Sequence, residues 1–295
     1  MSVLSRLYLG LNLLVAAAFA GHAALADPAS RIVSVGGSVT EIVYALDQQH
    51  RLIARDTTSI FPAEARQLPD IGYQRALAPE GVLSVAPDMI LAIEGAGPPE
   101  TLDVLKAAEV AYISVPEDYS AEGIARKIRT VGAALDQQAA AEVLAGQVST
   151  EIAAAQAAAA KAAAGTPRKV LFVLSTQGGR IMAGGADTAA DSIIRLAGGV
   201  NAVTGFAGYK PMGDEAIAQA APEVILVMER GGDHGVRTED LLAIPAIQPT
   251  PAAQNGAIVR MNGLHLIGFG PRTASAVTEL NRALYGGGAQ DVVGH

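Results

Sequence analysis

The feature that most constrains this chain is an alanine-rich run at its middle, from Asp136 to Gly165. Almost every residue in it is a strong helix former. Asp136 is suited to cap free N–H groups at a helix start. Gly165 suits the left-handed position past a helix end, and Pro167 forbids continuation. The run predicts one helix over 136–165, on the order of 40 Å long at about 1.5 Å per residue. Val143, Leu144, Val148 and Ile152 recur at helical spacing and call for a partner surface, which a flexible alanine linker would not need.

Strands and helices alternate on both sides of this run. Before it, Arg31–Val35, Leu52–Asp56, Met89–Ile93 and Ala111–Val115 read as strands, with helices between and after them. After it, Lys169–Leu174, Arg180–Ala183, Val224–Met228 and Ala257–Met261 read as strands, and a last helix covers about 271–284. The alternation predicts an α/β fold with two Rossmann-like parallel-sheet lobes, 27–135 and 166–295, joined by the single long helix at 136–165. Ligands of such sheets bind beyond the C-terminal strand ends, so the expected site is the cleft between lobes. An internal match supports two related halves. Glu80-Gly-Val-Leu-Ser-Val-Ala-Pro-Asp-Met-Ile-Leu-Ala-Ile-Glu94 parallels Glu215-Ala-Ile-Ala-Gln-Ala-Ala-Pro-Glu-Val-Ile-Leu-Val-Met-Glu229, with a gapless offset of 135 residues.

Half of the 295 residues are hydrophobic and 17% are charged, enough apolar content for a sizeable core. A net charge of −8 without a Lys/Arg cluster argues against nucleic acid and anionic membrane surfaces as partners. The chain has no cysteine, so disulfides and thiolate metal sites are excluded. Residues 1–26 have the pattern of a secretory signal peptide. Arg6 precedes an apolar stretch over Leu7–Ala20, and Ala24-Leu25-Ala26 supplies small residues for cleavage after Ala26. No cysteine stands at that site to carry an acyl anchor, and no other segment is long and apolar enough to span a bilayer. The expected product is a periplasmic monomer that is not membrane-anchored.

Catalytic fingerprints are missing from the sequence: there is no Gly-x-Ser-x-Gly elbow, no His-Glu-x-x-His and no Walker A. The histidines after the signal segment stand apart. His50 and His295 read as solvated, His265 as a core histidine, and His234 as a loop residue within reach of a cleft. Gly36-Gly37 and Gly184-Gly185 precede helices and are weak candidates for anion cradles.

The segment Pro69-Asp-Ile-Gly-Tyr-Gln-Arg-Ala-Leu-Ala-Pro-Glu-Gly-Val-Leu83 is more specific. Together with Arg31–Glu41, Ala197–Asn201, Leu242–Pro245 and Gly268–Arg272, it resembles the periplasmic haem-binding proteins of bacterial ABC importers, a helical-backbone class of substrate-binding protein. The likeness covers nearly the whole chain after the signal segment, and the Gly-Tyr-x-Arg stretch is what points to haem. On the residues alone Tyr73 is an ordinary loop tyrosine; the resemblance implies that it is the axial ligand of haem iron. A phenolate is a hard donor suited to ferric iron. A free tyrosine ionises only near pH 10, so the iron supplies most of the help, with Arg75 assisting. Haem also carries two propionates. Arg230 and Arg237, then Lys210 and Tyr209, are the second-lobe candidates to meet them, with His234 as a further loop candidate in a one-haem site. The resemblance further implies that Glu80 and Glu215 dock onto arginines of a permease dimer, which works with its ATPase, and that the chain has no catalysis of its own. Arg272 is expected to be structural. Cobalamin or a ferric siderophore in the same scaffold is the alternative ligand, and an exported α/β enzyme the alternative class.

Overall fold

The computed structural model describes residues 30–177, 180–229 and 236–286. The signal-peptide and cleavage expectations therefore lie outside the described residues. The first half contains β1 (Ile32–Val35), α1 (Gly37–Ala45), β2 (Leu52–Arg55), α2 (Pro79–Leu83), β3 (Met89–Ile93), α3 (Pro99–Ala107), β4 (Ala111–Val115) and α4 (Ala121–Ala134). Its four strands are ordered β2-β1-β3-β4, and every pairing is parallel. Next comes α5 (Gln138–Ala163). The second half contains β5 (Lys169–Gln177), β6 (Arg180–Gly184), α6 (Ala189–Leu196), β7 (Val200–Asn201), β8 (Tyr209–Met212), α7 (Asp214–Ala220) and β9 (Val224–Glu229). It ends with α8 (Thr238–Leu242), α9 (Pro251–Gln254), β10 (Ile258–Asn262), α10 (Gly263–Ile267) and α11 (Thr273–Tyr285).

The second sheet corrects the expectation of two parallel sheets. Its order is β10-β9-β5-β6-β8, with β7 beside β5. β10, β9, β5 and β7 pair in parallel, but β6 is antiparallel to both β5 and β8. The reason is chain length. Only two residues separate β5 from β6, whereas a parallel crossover needs a dozen or more.

The long helix spans 26 residues, about 39 Å at ~1.5 Å per residue. It packs against α4 on one side and α11 on the other, so it touches both halves. Its buried face is Ala141, Ala145, Val148, Ile152 and Ala159, with Leu144 partly buried. Val143 does not find the expected partner and is 62% exposed. The α4–α5 approach is close enough to demand glycine: a Cβ on Gly132 would stand 2.1 Å from that of Ala141. Asp136 does not cap α5. It takes a left-handed turn (φ 59°) that ends α4, a conformation Asp adopts more readily than most residues. At the other end Ala164 and Gly165 are both left-handed, φ 46° and 80°.

One apolar cluster runs continuously from the first sheet, through α4 and α5, to one face of the second sheet. Along β5, Val170 and Phe172 face this cluster, while Leu171 and Val173 face a second one under α7 and α8. That division is the period-2 alternation of a strand buried on both faces. The internal repeat extends to backbone detail. Ala86 after α2 and Ala221 after α7 occupy equivalent positions of the repeat and are both left-handed, φ 47° and 40°. Asp88 accepts from the amide of Arg31 before β1, and Glu223 accepts from the amide of Lys169 at the start of β5. In each half, the acid after Ala-Pro anchors the first strand.

Candidate ligand-binding site

The site builds up from the loop between β2 and α2. Asp56 is fully buried. It accepts from the amides of Gly36 (2.9 Å) and Thr58 (3.0 Å) and from the hydroxyls of Thr58 and Ser59 (2.7 Å each). A hydroxyl chain continues from Ser59 through Thr40 to Ser34. Satisfying every buried group in this way locks the loop to the end of β1. It also occupies the Gly36 amide, and the Gly37 amide donates to Thr58 Oγ1. Gly36-Gly37 is therefore not an open anion cradle. At the second glycine pair, the Gly185 amide donates to the Gly208 carbonyl, while Gly184 pairs with Tyr209 in the β6–β8 ladder.

Tyr73 follows Gly72, whose φ of +100° needs glycine. The Tyr73 carbonyl accepts from the Ala76 amide at 2.8 Å, and the Gln74 carbonyl accepts from that of Gly97. The side chain is 47% exposed, one of the few large hydrophobic side chains left so open among the described residues. Arg75 is exposed as well. Its charge acts on Glu117 and Tyr119 in the first half and on Tyr209 in the second, so it lies near the junction. Burial raises the pKa of all three groups, and Arg75 opposes that rise.

The second-half candidates fare unequally. Tyr209 is partly buried beside Thr188 and Ala190 at the start of α6, and burial raises its pKa. Its ring is tilted against Phe172 at 6.2 Å. Lys210 is exposed, with its amine 5.8 Å from the Phe206 ring centroid. Arg237 directs Nε and Nη2 at Asp240, each at 3.0 Å. No hydrogen bond or ion pair among the described residues joins it to Tyr73 or Arg75. Arg230 and His234 lie outside the described residues.

Sequence reasoning missed the junction beneath the site. Tyr119 is half-buried and packs edge-on against Phe269 of the second half at 5.2 Å. Lys127 is fully buried. It donates to Glu117 at 2.6 Å, to the Phe269 carbonyl at 3.0 Å and to Ser38 Oγ at 3.3 Å. Burial lowers the pKa of Lys127 and raises that of Glu117; their attraction opposes both shifts. Arg272 forks onto the buried Glu41 carboxylate and lies 3.6 Å over the exposed Phe61 ring. It also bonds His265 Nδ1 at 3.2 Å, and His265 Nε2 is 3.2 Å from Glu279. Burial, reinforced by the Arg272 charge, pushes the His265 pKa down to about 4. His265 is thus neutral at pH 7, the core histidine that was expected, and Arg272 is structural. The position of Glu117 and Tyr119, just past the C-terminal end of β4, is the one available signal that would have flagged them.

Glu80 and Glu215 sit in the first turns of α2 and α7, the equivalent helices of the repeat. Both are exposed, and neither is in an ion pair among the described residues. No group of three His, Asp or Glu among the described residues is arranged to hold a metal ion. Among those residues no helix is long and apolar enough to cross a membrane.

Two α/β halves, one connecting helix and a junction at strand C-termini define a two-lobe binding protein. Residues 32–263 match the periplasmic binding protein family, and the chain belongs to it. The periplasmic heme-binding protein BhuT, solved in complex with two hemes, is 39% identical, with a TM-score of 0.81 over 87% of this chain and 98% of that one. The apo periplasmic heme-binding protein RhuT from Roseiflexus sp. RS-1 is 38% identical, with a TM-score of 0.83 over 88% and 98%. The vitamin B12-binding protein of Vibrio parahaemolyticus is 24% identical over 260 residues, 86% of this chain and 89% of that protein.

Proposed function

We propose that this chain binds haem in the periplasm and delivers it to an ABC importer, with no catalysis of its own. The observation that carries the reading is the exposed Tyr73 on its Gly72 turn, with the exposed Arg75 two residues on, whose charge acts on Tyr209 of the second lobe. Similarity to two heme-binding proteins at 38–39% identity supports it. Tyr73 is the axial ligand. Ferric haem supplies the charge that makes the phenolate the stable partner, and Arg75 adds a cation two residues away. Tyr209, tilted against Phe172, contributes its ring to the pocket. Arg230 and Arg237 stand as second-lobe propionate candidates, with His234 as a loop candidate for ligand support, and Arg237 must release Asp240 to serve. Glu80 and Glu215 meet cationic groups on a two-fold permease, where paired charges set register and encounter rate. The mature chain, cleaved after Ala26, acts as a monomer.

The test is a hemin titration of the mature chain followed in the visible range. The expected result is a high-spin ferric tyrosinate spectrum that disappears in Tyr73→Phe. The end point separates one haem from two. Absence of hemin binding at micromolar concentration, with cobalamin binding in its place, overturns the reading in favour of the B12-type relative.

A further inference from the structure

We propose that Asp70 is a positioning residue for Tyr73, holding the iron ligand in place from three residues upstream; the assignment rests on Tyr73 being that ligand. The backbone over 69–72 lies along the residues that extend β2. Arg55 donates its amide to the Pro69 carbonyl and accepts from the Ile71 amide, both at 3.0 Å, and the Thr57 amide donates to the Gly72 carbonyl at 2.9 Å. Asp70 gathers these two strips through its side chain. Oδ1 accepts from the Gly72 amide at 2.9 Å and from Thr57 Oγ1 at 3.1 Å. Oδ2 accepts from Arg55 Nη1 at 2.6 Å. One carboxylate therefore bonds the residue immediately before Tyr73, the strip beside it and a cation rooted in β2.

The bond to Gly72 matters most. Gly72 sits at φ +100° with nothing within 4 Å of where a Cβ would be, so neighbouring side chains do not hold its torsion. The carboxylate supplies that restraint on the amide side, as the Thr57 amide does on the carbonyl side. Downstream, the Ala76 and Gly97 amides pin the Tyr73 and Gln74 carbonyls. Tyr73 is thus anchored on both sides while its side chain stays open. An axial ligand needs this combination: a fixed Cα–Cβ direction with a free oxygen. Groups that orient a ligand from behind typically change metal affinity about 10–100-fold when removed.

Asp70→Ala, Asp70→Asn, Thr57→Val and Tyr73→Phe, each in the mature chain, are titrated with hemin and their spectra recorded. Asp70→Ala is expected to weaken hemin binding about tenfold or more and to shift or bleach the tyrosinate-to-iron charge-transfer band. Its melting temperature is recorded alongside, because Arg55, 11% exposed, also loses its carboxylate partner. Asp70→Asn, which keeps an acceptor for the Gly72 amide, should restore most of the band. Thr57→Val shifts the band the same way by a smaller amount and serves as the measurement should Asp70→Ala not fold. An unchanged band and affinity in Asp70→Ala, or in Thr57→Val if that is the folded variant, overturn this proposal alone when Tyr73→Phe abolishes the band. A band that survives in Tyr73→Phe overturns the ligand assignment and this proposal with it.

Discussion

Replacing Arg272 with methionine should destabilise the chain strongly at high pH and much less at low pH. Arg272 bonds both oxygens of Glu41, whose side chain is 5% exposed. Removing the guanidinium leaves a carboxylate buried beside only one other cation acting on it, Lys127. Breaking a buried pair from one side costs about 3–5 kcal/mol. For a chain this size that lowers the melting temperature by roughly 10 °C.

Glu41 already has a raised pKa, because burial outweighs Arg272 and Lys127. A carboxyl whose folded pKa exceeds its unfolded one binds more protons when folded. Its contribution is fully present below the unfolded value, 4.5, and falls as pH rises through the folded value. Without Arg272 the folded value climbs further, so the loss grows with pH. His265 acts in the same direction. Its depressed pKa makes the wild type lose stability as pH falls from 6.5 toward 4, and removing the Arg272 charge relieves part of that. Once Glu41 takes up a proton as pH falls, the remaining cost is that of neutral hydrogen bonds, about 1–2 kcal/mol. The chain has no tryptophan, so urea unfolding at pH 5 and pH 8 is best followed by far-UV circular dichroism. Equal losses at the two pH values, or a loss under ~1 kcal/mol at pH 8, would refute the reasoning. Adding Glu41→Gln to Arg272→Met should recover much of the stability, since the buried charge is then gone.

Two further outcomes are expected. Glu80→Ala combined with Glu215→Ala should leave hemin affinity unchanged and weaken association with the reconstituted permease about tenfold, equivalent to about 1.4 kcal/mol; reduced hemin affinity in this variant counts against docking. Ala86→Gly and Ala221→Gly should each stabilise the chain by about 0.5–1 kcal/mol, because both alanines hold left-handed backbone in equivalent turns. A fall in melting temperature on either substitution would contradict that.

The sequence showed clearly whatever is decided locally. Alanine content marks α5, Pro79 marks the first turn of α2, and the 135-residue repeat marks helices and strands that prove equivalent down to the left-handed Ala86 and Ala221. Errors arose where a longer-range partner prevailed. Asp136 looked like a cap for α5 but ends α4, because the chain reverses there and α4 packs on α5 through Gly132. Val143 looked like a core residue but points away from both α4 and α11, since the buried stripe is set by Ala141, Ala145, Val148 and Ile152.

The junction was the least legible part, for a physical reason. Arg272 and Glu41 are 231 residues apart, and Lys127 reaches a carbonyl 142 residues away. Such pairs leave no periodicity and no local motif; each partner alone reads as an ordinary charge on a helix. Yet the fold needs them there. An alanine-rich α5 approaches its neighbours closely but brings few large side chains, so it fixes the distance between lobes better than their relative rotation. Rotation is resisted instead by Glu41–Arg272 and Lys127–Phe269, which join α1 and α4 to the segment before α11. Opening the lobes about α5 would strip Arg272 from the buried Glu41, which is costly to leave unpaired, and the Phe269 carbonyl from Lys127, whose ion pair to Glu117 stays within the first half. The helix sets the spacing across which the Arg75 charge acts on Tyr209, and the two buried ties set the angle.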